Sequence, residues 1–259
     1  MNVIDLSKIT LLRDDKVLLR DINWTIHSGE HWTLLGANGA GKSLLLNIIN
    51  GYLWPTSGSV TVLGKTFGEY DLRELRKTIG FVGLFLHEQI YRNDTALDIV
   101  VSGKYASIGL WEIPSKEDYI FGEELMEEWD CLSFAHTPYR ILSQGEKQKI
   151  LICRSLMCQP ALLVFDEPCV GLDIRAREQL LEMIQRLGTV SPNPALIFVT
   201  HHVEEIMPVF SHVLLLKEGR VFASGIKQKI INGGLLSRAF DIGISVHSNN
   251  GRYNVLVKS

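Results

Sequence analysis

The stretch Gly36-Ala37-Asn38-Gly39-Ala40-Gly41-Lys42-Ser43 lies between an apolar run, residues 32–35, and a helix-competent one from Leu44 to Ile49. This is the spacing of a phosphate-binding P-loop. Its glycines let backbone N–H groups turn toward phosphate oxygens, and Lys42 can reach the outer phosphates. Ser43 offers a hydroxyl suited to Mg²⁺, and the following helix points its positive end at the anion. With glycine near 7 % of residues, the pattern arises by chance in roughly one chain in a hundred of this length. The loop therefore points to a nucleoside triphosphate, but to no particular use of it.

The composition sets bounds around that loop. With 259 residues, 46 % of them hydrophobic, the chain can bury a full core as one large domain or a domain plus subdomain. A formal net charge of −3 gives no bulk attraction to nucleic acid or to an anionic membrane, and no nucleic-acid partner is expected. Cys131, Cys153, Cys158 and Cys169 show no metal-ligand spacing and read as reduced, structural and hence cytoplasmic. No apolar run approaches the roughly 18 residues that span a bilayer. The start Met1-Asn2-Val3-Ile4-Asp5 lacks the plan of a signal peptide. Any service to a membrane is expected to run through a partner.

In chain order, residues 3–11 and 17–19 read as short strands joined at Arg13-Asp14-Asp15-Lys16, and Ile22, Trp24 and Ile26 alternate as a third. This opening predicts an antiparallel β layer beside a nucleotide core. After the P-loop helix come a turn at 55–58, a strand at 59–63, a short amphipathic helix at 72–76 and a strand at 79–82. From Thr95 the texture turns helical: Thr95 can cap a helix over 96–102, and a second is expected over 117–129. This is read as a helical subdomain, approximately 90–155, inserted in a single domain spanning 1–259. Trp111 and Trp129 read as its packing residues. At the far end, runs at 242–246 and 253–257 flank Asn249-Asn250-Gly251 and predict a hairpin within 240–259.

A second constellation is Leu142-Ser143-Gln144-Gly145-Glu146 followed by a helix-competent run. Taken alone it reads as a capping box, Ser at the N-cap and Glu three residues on, at a helix start that favours an anion. Next come four apolar residues, 162–165, then Asp166 and Glu167. Such a run fits a strand buried on both faces in a parallel sheet. Two carboxylates at its end fit a metal ion and a polarised water better than an exposed turn.

In order, these motifs, with Gly171-Leu172-Asp173 and Thr200-His201, resemble the ATP-binding subunit of an ABC transporter over essentially the whole chain. The fold this implies is α/β: a P-loop ABC ATPase with a parallel-sheet core, an N-terminal antiparallel β layer and an inserted helical subdomain. The resemblance implies an ATPase using ATP and Mg²⁺. Gly36, Ala37, Asn38, Gly39, Ala40, Gly41, Lys42, Ser43 and Leu44 would bind nucleotide, Ser43 and Asp166 would hold the metal, and Glu167 and His201 would act at the attacking water. Two copies, identical or related, would meet head to tail, with ATP between the P-loop of one and Ser143, Gln144 and Gly145 of the other. Asp173 would cross that interface. The partners implied are integral membrane transporter subunits, through which the chain would lie peripherally on the inner face of the cell membrane.

Three features depart from the family pattern. Gln144 and Glu146 stand in the signature where Gly and Gln are usual. Arg13 takes the place of the aromatic residue that stacks on adenine, where a guanidinium can stack on the base instead or stand as a solvated turn residue. The glutamine expected after the strand at 79–82 is replaced, by direct spacing, with Leu84; a longer loop would offer His87 or Gln89. Residues 84–111 are the expected partner surface. The tail resembles ATPases of importers for iron chelates, haem, cobalamin or molybdate-like anions. The competing readings are a soluble ABC ATPase without a transport role and a binding module that does not hydrolyse; Lys42, Asp166, Glu167 and His201 count against the second.

Overall fold

The computed structural model describes residues 2–258 except 84–89, 91–92, 107–108, 111 and 190–193. The strands, in chain order, are β1 (Asn2–Arg13), β2 (Lys16–His27), β3 (Trp32–Leu35), β4 (Ser57–Val62), β5 (Lys65–Thr66), β6 (Ile79–Gly83), β7 (Leu162–Asp166), β8 (Ala195–Thr200), β9 (His212–Lys217), β10 (Arg220–Ile226), β11 (Ile244–Asn249) and β12 (Arg252–Val257). The helices are α1 (Lys42–Ile49), α2 (Leu72–Arg76), α3 (Ala96–Ser102), α4 (Lys116–Glu128), α5 (Gln144–Leu156), α6 (Ile174–Leu187), α7 (Lys227–Ile230) and α8 (Gly233–Phe240). The chain divides into two compact units, Met1–Leu75 with Ala195–Ser259, and Arg76–Pro194.

The first unit holds the expected antiparallel layer, in the order β2-β1-β4-β5. The opening strands prove longer than the alternation suggested. Asp14 and Asp15 both take left-handed φ, 49° and 59°, and make a two-residue turn between Arg13 and Lys16. Residues 17–19 and 22–26 then belong to the one strand β2, whose apparent break is an irregularity around Asp21 at φ 49°. Beside this layer, β3 lies parallel to both β8 and β9, and β10 pairs antiparallel with β9. All four residues of β3 and all six of β8 are buried, as a strand covered on both faces requires. The hairpin β11-β12 turns at Asn250-Gly251, both with positive φ, as an Asn-Gly pair favours.

The second unit pairs β6 with β7 in parallel and carries α3 to α6. Gly80 must be glycine there, because a Cβ would come within 2.5 Å of Leu163 Cδ1 and 2.8 Å of the Ser155 carbonyl. Three of its helices begin with a full capping box: Thr95 with Asp98, Ser115 with Asp118, and Ser143 with Glu146. Helix α3 begins and ends where the sequence predicts, and α4 runs one residue ahead of the expected span. Gly122 lets α4 approach α3, since a Cβ would stand 3.1 Å from Leu97 and Val101 side chains. Asp118 is buried and accepts from Lys104 Nζ at 2.6 Å and Tyr105 Oη at 2.9 Å. The Lys104 hydrogen bond, aided by Ser115 N–H, Tyr105 and the ammonium charge, holds its carboxyl at about 2. Trp129 packs as expected, 5 % exposed with the Arg186 guanidinium 4.6 Å from its ring centre, whereas Trp111 lies outside the described residues.

Candidate nucleotide site

In the first unit the P-loop leaves β3 at Leu35 and enters α1 at Lys42. Gly39 and Gly41 take φ of 79° and 102°, a region open to glycine and costly for other residues. Gly36 is needed for a different reason: a Cβ there would run into the Leu216 carbonyl oxygen. Helix α1 has Gly41 as its N-cap, no side-chain cap hydrogen bond and no acidic residue in its first turn. Its opening N–H groups and positive end thus suit an anion. Lys42 is 5 % exposed, and its ammonium donates to the Gly36 carbonyl at 2.9 Å and the Ala37 carbonyl at 3.2 Å. The cation is therefore held along the loop it serves, with Ser43 beside it on the first turn.

The loop is braced from far along the chain. Gly219, in the turn between β9 and β10, donates its N–H to the Ala40 carbonyl at 3.0 Å, and Arg20 N–H donates to the Gly219 carbonyl at 2.8 Å. Leu19 lies so close to Gly41 that a Cβ there would stand 2.7 Å from its Cδ2. Sequence reasoning missed these supports, and their only local trace is the turn at Glu218-Gly219.

His201 follows β8, and the register pairs Leu35 with Thr200. Gly36 and His201 therefore leave neighbouring parallel strands at the same level, which places His201 and the loop at the same end of those strands. The segment after β8 is fixed by Thr200, whose hydroxyl donates to the buried Glu205 carboxylate and accepts the His202 N–H at 2.9 Å. The His201 and His202 rings lie 4.1 Å apart, and His202 Nδ1 is 3.5 Å from Glu204 Oε1. The C-terminal hairpin braces the same segment, with Arg252 donating to the Glu204 carbonyl at 3.0 Å. Arg13 is exposed at the end of β1, and no hydrogen bond joins it to the loop among the described residues.

In the second unit Asp166 ends β7 opposite Gly83, and Glu167 follows in the left-handed conformation at φ 48°. Holding a non-glycine residue there costs on the order of 1 kcal/mol. The turn continues through Gly171 at φ 78° to Asp173, whose carboxylate accepts the Ala176 N–H at 2.8 Å and caps α6. The signature opens α5. Glu146 accepts from the Ser143 hydroxyl and N–H, each at 2.7 Å, and these bonds hold its carboxyl below the ordinary range. The unusual Glu146 is thus engaged in the cap. Gly145 admits α6, since a Cβ there would meet Ala176 Cβ at 3.2 Å.

The structure brings the signature and Asp173 together. Ser143, Gln144, Gly145 and Glu146 line one cleft of about 510 Å³ with Gly171, Leu172, Asp173 and Arg175, and Asp130, Phe134 and Lys149 line it too. Leu84, His87 and Gln89 lie outside the described residues. No helix among the described residues is long and apolar enough to cross a membrane.

Comparison with known proteins agrees with this arrangement. A family model described as ABC transporter matches residues 19–170, and one for an AAA domain matches 135–207. The chain is 45 % identical over 251 residues to the ABC transporter ATP-binding protein YlmA of Bacillus subtilis, itself uncharacterized, covering 96 % of this chain and 95 % of that one. It is 39 % identical to YmeB of Lactococcus lactis, also an uncharacterized ABC transporter ATP-binding protein, over 99 % of both chains. Among solved structures, a chain of an ABC transporter described as of the metal-chelate type superposes with a TM-score of 0.80 at 23 % identity, over 100 % of this chain and 97 % of that one. Part of the ABC transporter complex cbiONQ, cbiO1 from Clostridium perfringens, does so with 0.74 at 25 %, covering 92 % and 93 %. The chain belongs to the ATP-binding subunits of ABC transporters, ATPases whose hydrolysis is coupled to transport.

Proposed function

We propose that this subunit binds ATP on residues 36–44, closes head to tail with a second copy or a related subunit, and reopens after hydrolysis, moving docked membrane subunits between access states. The observation that carries the reading is a pair of features, one within each unit. In the first, His201 stands level with the start of the P-loop; in the second, Ser143, Gly145 and Asp173 share one cleft. A chain with both features can complete two sites when it pairs with a like chain.

Each side chain then has a task. Lys42 and the loop N–H groups neutralise and orient the phosphates, and His201 donates toward the terminal one. Glu167 orients the attacking water and draws its proton. The Ser43 hydroxyl and Asp166 carboxylate are hard oxygen donors of the kind Mg²⁺ takes, so the donor set fits that ion. When bound, Mg²⁺ neutralises charge developing on the phosphate oxygens. Arg13 stacks on the base through its guanidinium plane.

The partners are integral membrane subunits, which keep the chain on the inner face of the membrane, and residues 84–111 are their docking segment. The cargo is a metal chelate or an oxyanion. Support comes from the structural neighbour described as metal-chelate type and from the hypophosphite import ATP-binding protein HtxD of Stutzerimonas stutzeri, 30 % identical over 82 % of this chain.

The test separates the two features. ATP should drive the purified chain into dimers; Lys42→Ala should lose nucleotide and dimer together, whereas Gly145→Asp should keep nucleotide on its own P-loop and still fail to dimerise. A Gly145→Asp protein that dimerises like the parent would contradict the head-to-tail arrangement.

A further inference from the structure

Cys131 and Cys153 have no part in the nucleotide chemistry, yet both are wholly buried and their sulfurs lie 3.6 Å apart. Cys131 sits in the turn after α4, its N–H donating to the Met126 carbonyl, and Cys153 sits on the inner face of α5. We propose that these two thiols form an oxidative modification site, closing to an intrachain disulfide that ties residues 130–134 to the signature helix.

The geometry favours this pair. A disulfide needs the sulfurs at about 2.05 Å, so they must approach by roughly 1.5 Å. The two residues belong to elements already packed together, and Lys149, one turn before Cys153, reaches the Asp130 carbonyl at 3.5 Å. The chemistry favours Cys131 as the attacking sulfur. The contact between the two sulfurs, assisted by the Lys149 charge, pulls the Cys131 thiol down, while the same contact and burial push Cys153 up. The half-buried Cys158 is raised by burial to about 11, which leaves it a poorer competitor.

The oxidant is a small peroxide. The Cys131 thiolate attacks one peroxide oxygen and the O–O bond breaks, giving a sulfenic acid and hydroxide, which takes up the proton the thiol released. The Cys153 sulfur then attacks the sulfenic sulfur, the S–O bond breaks, and water leaves with the Cys153 proton. Two thiols and one hydrogen peroxide give one disulfide and two waters. Asp130 and Phe134 line the cleft that Ser143 to Glu146 also line, so the bond would tether one wall of that cleft to the helix forming the other. This last consequence rests on the function proposed above; the bond itself does not.

The full chain is treated with hydrogen peroxide, quenched with an alkylating agent and digested without reductant, and its peptides are weighed. The expected result is a linked pair of peptides carrying Cys131 and Cys153, lighter by two hydrogens than their sum, formed before Cys158 is consumed and reversed by dithiothreitol. Cys131 and Cys153 both still alkylatable after Cys158 has reacted would overturn the proposal. The variant Cys158→Ala/Cys169→Ala keeps only the pair, and its thiol titre in denaturant should fall from two to none; a fall to one would also overturn it. This readout involves no nucleotide, so its failure is distinct from failure of the ATPase reading. A link that forms but leaves ATP turnover unchanged would refute the effect on the cleft.

Discussion

Two helix starts in this protein are capped in opposite ways. Helix α1 begins at Gly41 with a left-handed φ, no side-chain cap and no acid in its first turn. Helix α5 begins at Ser143 with a closed capping box and Glu146 in its first turn. The first has no side chain capping its start, as suits an external anion; the second satisfies two backbone donors of its own and adds a negative charge nearby. On the function proposed above, the difference is that the P-loop holds nucleotide by itself, whereas the signature keeps its shape and contributes only when a partner brings phosphate to it.

The sharpest way to break this contrast is to disturb the loop's backing. Gly36→Ala forces a Cβ against the Leu216 carbonyl and should cost about 1–3 kcal/mol in urea unfolding, with ATP affinity falling at least about tenfold. An Ala variant that binds ATP like the parent would show that β9 does not set the loop.

A smaller effect belongs to the second unit. Asp118→Asn removes the charged partner of Lys104 and should cost about 1–2 kcal/mol at neutral pH. The Asp118 carboxyl is held at about 2 against an ordinary 3.8, so the unfolded chain takes up the proton first as pH falls. Its contribution is therefore fully present above 3.8 and is lost as pH falls toward about 2. The gap between parent and variant should narrow over that window, measured by denaturant melts at each pH, and a constant gap would contradict the pairing.

Smaller still, Ser143→Ala opens the α5 cap and should cost about 1 kcal/mol. Glu146→Gln, which restores the residue usual in the family, can keep both capping bonds and should stay within about 0.5 kcal/mol of the parent. A larger loss in Glu146→Gln would mean that the charge, not the cap, matters there.

The same contrast explains what could be read from the sequence. Local devices were legible: the glycine spacing of the P-loop, Thr95 and Ser143 as N-caps, the apolar run ending at Asp166, and the Asn250-Gly251 turn. What escaped lies in long-range packing or in broken periodicity. Nothing near Gly36 or Ala40 foretells Leu216 and Gly219, nearly two hundred residues on. The irregular residue Asp21 interrupts the alternation of β2, so one strand read as two. Asp173 was placed by its motif, but its work as the N-cap of α6 depends on where the turn after β7 ends. His201 stood out only through resemblance, and its level beside Gly36 comes from the pairing of β3 with β8.

The most direct test of the central claim is Mg²⁺-dependent ATP hydrolysis by the purified chain beside Glu167→Gln, with the oligomeric state of each followed in ATP. The account predicts turnover by the parent, a loss of at least about 100-fold in the variant, and accumulation of the variant as an ATP-trapped dimer. Hydrolysis in Glu167→Gln at the parent's rate, with no trapped dimer, would contradict it.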